Sequence, residues 1–142
     1  MSLFASDNVL VPLDFSDDAI AALKETVDFV SASQKVHAVN VLPTLEATEP
    51  GVIWQTIDNQ TRIDKVKETF ANHFPEAIYQ DVKFTVEVGN PSSEIIDYAK
   101  NNSIDLIVIP SSGKTGLPRF FMGSVAEKVV RFSHCPVLVL RK

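Results

Sequence analysis

The chain has 142 residues, 45% of them hydrophobic and 22% charged, a composition that folds around a core and excludes a disordered chain. A formal net charge of -5 argues against a general binder of nucleic acid or of anionic membranes. Cys135 is the one cysteine, the opening MSLFASDN has no signal-peptide pattern, and no apolar run has the length of a membrane span; together these lead us to expect a reduced, cytoplasmic protein without disulfides.

Asn8–Pro12 predicts a first strand, ended by Pro12, which has no N–H to give to a ladder. After the short loop Leu13–Ser16, Ser16 suits a helix N-cap, Asp17 and Asp18 suit the first turn, and Ile20, Leu23, Val27 and Val30 recur at helical spacing. A second strand starts at Lys35 and carries Val36, Ala38, Val39, Val41 and Leu42. Pro43–Asn59 has no clear period and reads as a loop. Ile57 to Phe74 reads as a helix with Ile63, Val66, Phe70 and Phe74 on one face, stopped by Pro75. Val82–Val88 alternates apolar and polar residues, as a half-exposed edge strand does. Asn90-Pro91 opens a helix that turns Ile95, Ile96 and Ala99 inward and ends at Asn101-Asn102. Ile104–Ile109 is a short apolar run, as expected of a strand buried on both faces, and Val137–Leu140 reads as another. Between them lie a loop with Ser111, Ser112, Gly113, Lys114, Thr115 and Gly116, and a helix that opens at Gly123-Ser124.

Alternating strands and helices with apolar strands imply a parallel sheet covered on both faces. We expect a doubly wound α/β fold, Rossmann-like, with five strands in the order 3-2-1-4-5. No repeat, low-complexity tract or linker divides the chain, so residues 1–142 are expected to form a single domain. Ligands in such sheets bind beyond the strands' carboxyl ends, where the strand order reverses. The first and fourth strands flank that point, and their exits are Pro12–Asp14 and Pro110–Gly113.

Each candidate residue there has a plain alternative. Gly113 lets a backbone approach a phosphate or ribose closely, or simply serves a turn. Gly123 and Ser124 offer N–H groups and a hydroxyl to an anion at a helix start, but Ser124-Val125-Ala126-Glu127 also has capping-box spacing, which needs no ligand. Asp14 suits a nucleotide's ribose or base, or an Asx-turn ahead of the helix. Lys114 and Arg119 carry positive charge near the same loop but read more simply as solvated. His37, His73 and His134 lack metal-ligand spacing, Cys135 reads as a small buried residue, and no Walker loop, dinucleotide fingerprint or nucleophile elbow is present. No catalytic residue and no metal ligand is therefore assigned.

The spacing Gly113, nine residues, Gly123-Ser124, then Val125, Glu127 and Pro136-Val137-Leu138-Val139, resembles the universal stress protein family, whose nucleotide signature is Gly-x2-Gly-x9-Gly-Ser/Thr. Val9-Leu10-Val11-Pro12-Leu13-Asp14-Phe15-Ser16 and Val86-Glu87-Val88-Gly89-Asn90-Pro91 are similar to the family's first strand and third helix entry, so the resemblance spans the chain. It implies an ATP, AMP or ADP site, with Mg²⁺ carried by the phosphates, formed by Pro12, Leu13, Asp14, Val41, Pro110, Gly113, Gly123, Ser124 and Val125. Val41 would lie against adenine and Asp14 would contact the nucleotide. Two positions depart from the pattern: Leu13 stands where a small hydroxyl residue is common, and Pro110 replaces the first glycine. A proline removes a donor and fixes φ, which favours an alternative, a nucleotide-free interaction protein. The resemblance further implies a stress-response module with at most slow ATP hydrolysis, a homodimer through the last strand, and a protein partner that the sequence does not name.

Overall fold

Five short apolar segments and four amphipathic ones assemble as the alternation predicts. The computed structural model describes residues 7–30, 35–44, 59–112 and 122–141. Strands β1 (Asn8–Pro12), β2 (Lys35–Leu42), β3 (Lys83–Val88), β4 (Leu106–Pro110) and β5 (Val137–Leu140) alternate with helices α1 (Asp17–Phe29), α2 (Asn59–His73), α3 (Pro91–Asn101) and α4 (Ser124–Phe132). The sheet order is β3-β2-β1-β4-β5 and every pairing is parallel. This is the expected doubly wound fold.

β1 is the central strand, and its side chains point alternately to two cores. Val9 and Val11 join Leu13, Leu23, Ala38, Phe74 and Val108 under α1 and the end of α2. Leu10 joins Val39, Ile95, Tyr98, Ile107, Ala126 and Val129 under α3 and α4. α1 and α3 each begin with a side-chain cap. Ser16 Oγ accepts from the Ala19 N–H at 3.2 Å, and Asn90 Oδ1 accepts from the Ser93 N–H at 3.2 Å ahead of Pro91. α2 buries no residue of its own, yet its Phe70 stacks on Phe84 of β3 with centroids 4.3 Å apart.

Two boundaries shift for physical reasons. β4 begins at Leu106 because the two residues before it serve other elements. The Ile104 N–H closes α3 through the Ala99 carbonyl at 2.9 Å, and the Asp105 carboxylate accepts the Asp7 and Asn8 N–H groups at 3.0 Å each. α1 stops at Phe29, since Val30 is extended and caps its end. β5 is not the buried strand its apolar run suggests. It lies at the sheet edge, and Leu138 is 42% exposed. β3, at the other edge, is half-buried as its alternation predicts.

A buried polar group crosses the second core. Asn8 Oδ1 lies 3.3 Å from His37 Nε2, so that nitrogen carries the proton, and His37 Nδ1 accepts from the Tyr98 hydroxyl at 2.8 Å. Burial pushes the His37 pKa below its usual value, and the charges of Lys83 and Lys35 push it the same way. A histidine neutral when folded takes up protons more readily when unfolded, so stability is complete above the ordinary pKa near 6.5 and falls as pH drops below it. We predict that the urea midpoint falls between pH 7.5 and pH 5.5, and that His37→Gln flattens this fall, read by far-UV circular dichroism.

Candidate functional site

The chain leaves β1 toward one face of the sheet and reaches α4 on the other, which opens a crevice at the carboxyl edge. A cavity of about 240 Å³ lies there. Pro12, Leu13, Asp14, Val41, Pro110, Gly123, Ser124 and Val125, all expected from the sequence, line it together with Val39, Ile95, Ile109, Ser111 and Ser112. The expected Gly113, with Lys114 and Arg119, lies outside the described residues.

Hydrogen bonds fix each wall. The Leu13 N–H donates to the Val39 carbonyl at 2.8 Å, and Asn40 Nδ2 donates to the Leu13 carbonyl at 2.8 Å, so the peptide groups on both sides of Leu13 are tied to β2. The chain then turns through Phe15, whose φ of 60° is uncommon for a residue with a side chain. Asp14 Oδ1 accepts the Ser16 N–H at 3.0 Å, the local turn contact that the sequence allowed. On the opposite wall, the Gly123 N–H donates to the Ser111 carbonyl at 2.7 Å, and Ser112 Oγ donates to Asp18 Oδ2 at 3.2 Å.

The helix start at this wall differs from the capping box. The N-cap is Gly123, not Ser124, and no side chain caps α4. Ser124 is the first helical residue, and the Glu127 carboxylate pairs with Arg131 one turn on rather than reaching back. With φ of -63° and ψ of 153°, Gly123 has the extended backbone of an N-cap but no side-chain oxygen to offer. The first turn of α4 thus brings N–H groups and the positive end of the helix dipole to the cavity without a built-in acceptor, an arrangement suited to an anion.

Among the described residues no group of three His, Cys, Asp or Glu side chains could hold a metal. Burial raises the Cys135 pKa, against a role as nucleophile. No helix among the described residues is long and apolar enough to cross a membrane.

Sequence reasoning missed Asn40. It sits among apolar β2 residues and has no motif around it, yet it holds the β1 exit in place, and its Oδ1 is buried without a partner among the described residues. Asn40→Ala should lower stability by about 1–2 kcal/mol through the stranded Leu13 carbonyl, read as a lower urea midpoint.

The sequence profile of the Universal stress protein family matches residues 6–141. The chain is 45% identical to the universal stress protein YxiE of Bacillus subtilis, over 95% of this chain and 99% of that one. Its fold is similar to the solved structure of MJ0577 of Methanocaldococcus jannaschii, with a TM-score of 0.80, 30% identity, and 96% of each chain covered. Two more distant folds are a universal stress protein in complex with cAMP (TM-score 0.67, 22% identity, covering 96% of this chain and 98% of that one) and an Arabidopsis thaliana family protein with AMP bound (0.64, 19%, 95% and 91%).

Proposed function

Because this chain belongs to the universal stress protein family, we propose that it is a stress-response regulatory or protective module whose crevice takes an adenine nucleotide, ATP or the smaller ADP and AMP. The observation that carries this reading is the uncapped start of α4 opening on a cavity between the β1 and β4 exits. Val41, Val39 and Leu13 offer an apolar wall for the base, and Asp14 an acceptor for ribose hydroxyls. The N–H groups at Ser124 and Val125 and the Ser124 hydroxyl stand where phosphates would gather beside Gly123, with Gly113 completing the signature. The AMP and cAMP complexes of the two distant folds fit an adenine ligand. Mg²⁺, which screens phosphate charge, would be carried by the nucleotide. No residue is assigned to catalysis, and any ATP hydrolysis would be slow. We place the module in the cytoplasm, where the bound nucleotide would govern its contact with a protein partner.

The test pairs binding with charge reversal at the helix start. Calorimetry should detect ATP with Mg²⁺ and weaker binding of GTP. Ser124→Asp puts a fixed anion where the phosphates would sit. It should weaken ATP by about tenfold or more, 1.4 kcal/mol or beyond, while leaving α4 as stable or roughly 0.3–1 kcal/mol more so. No heat and no thermal shift with millimolar ATP would favour the nucleotide-free interaction protein instead.

The same reading includes a homodimer. β5 pairs with β4 on one side only among the described residues, and its exposed Leu138 leaves an apolar edge that proteins normally cover or pair. Antiparallel pairing of Val137–Leu140 around a two-fold axis would cover it. Light scattering at tens of micromolar should give a dimer mass, and Leu138→Lys a monomer with unchanged circular dichroism.

A further inference from the structure

The seam between β1 and β4 ends early. β1 pairs with β2 at five positions, from Asn8 to Pro12, but with β4 only at Val9↔Leu106 and Leu10↔Ile107. The directions of the backbone groups explain why. Backbone groups of successive strand residues point to opposite neighbours. The Leu13 N–H donates to Val39 of β2, so Val11 and Val9 face β2 as well, and Leu10 and Pro12 face β4. The Ile107 and Ser111 N–H groups donate to Pro136 and Leu140 on the β5 side, so Val108 and Pro110 face β1.

Carried forward, the register would add two rungs, from the nitrogen of residue 12 to the Val108 carbonyl and from the nitrogen of residue 110 to the Pro12 carbonyl. Both nitrogens belong to prolines. A ladder hydrogen stands about 2 Å from its acceptor, whereas a carbon–oxygen contact needs about 3.3 Å or more. Each pyrrolidine ring therefore does more than leave a rung unmade: it holds the strands apart where the rung would be. Proline is otherwise confined to edges, strand starts and bulges, yet these two end interior strands, are buried, face one another across the same seam, and line the cavity.

We infer that Pro12 and Pro110 are a pair of positioning residues that wedge β1 and β4 apart and so set the width of the crevice floor. Pro110 is then not a defect in a glycine signature. Its nitrogen faces β1, so the proline takes no donor away from a ligand in the crevice. The effect on affinity rests on the nucleotide-binding reading; the wedge itself does not.

The double variant Pro12→Ala/Pro110→Ala restores both donors. The expected result is that the new amides at 12 and 110 exchange with solvent at least ~100-fold more slowly than in an unstructured peptide, by nuclear magnetic resonance, and that ATP affinity measured by calorimetry falls about tenfold. Each single variant should protect its one new amide, which keeps the test decisive if the double variant fails to fold. Unprotected amides would overturn the wedge, and a lower unfolding midpoint alongside them would mark the prolines as local stiffeners only. Protected amides with unchanged affinity would overturn the positioning role. If the unmutated protein binds no nucleotide, the functional reading fails on its own, and the exchange rates still decide the wedge.

Discussion

β1 has neighbours on both sides, and the chain reaches them by turning in opposite directions. The path to β2 crosses one face through α1, and the path from β4 to β5 crosses the other through α4. The exits of β1 and β4 part at one edge, and this constraint places the crevice before any side chain is considered. The same winding directs the starts of α3 and α4, both packed on the second face, toward that edge, so Pro91 and Gly123 come to line one cavity. Mutual burial of β1 and its partners holds the arrangement. Val9, Leu10 and Val11 are at most 1% exposed, which leaves the central strand no freedom to slip in register.

On that rigid floor, the helix starts divide the work. α1 and α3 satisfy their first turns with Ser16 and Asn90, and both are helices of conventional length. α4 has only nine residues and forgoes a side-chain cap, although a serine stands next to the position that could supply one. A sequence tuned only for stability would move that serine back by one residue. Asn40 points the same way. One end of its amide anchors Leu13, while the other is buried without a partner among the described residues. Departures from full hydrogen-bond satisfaction thus collect near the carboxyl edge, where local rules are most often relaxed for function.

Much of this was legible in the residues. Apolar runs at β1, β2 and β4 and the 3.6-residue stripe of α1 report burial directly, so strand order and helix faces follow from pattern and winding rules. The crevice was legible for the same reason, since its location is topological, and the family signature marks many of its residues. What the pattern hid was the use of backbone groups. Whether Ser124 or Gly123 caps α4 is a one-residue shift that capping-box spacing cannot resolve, because both fit the same letters. The apolar letters of Val137–Leu140 read as core, whereas the expected strand order already set β5 at an edge, where Leu138 is exposed. Asn40 and the His37–Tyr98 contact join residues distant in sequence, and no local period records such contacts.

The hydrogen bond from Gly123 to the Ser111 carbonyl joins the two ends of the segment between β4 and α4, and Ser112 adds a second anchor through Asp18. These two contacts fasten the β4 exit to the start of α4 and, through Asp18, to the first turn of α1. A close-packed interior passes strain on rather than absorbing it, so a push on the helix start is felt at the β4 exit and at α1 together. The clamp therefore makes the rim of the crevice a coupling point, where an event at the start of one helix is reported to another on the opposite face of the sheet.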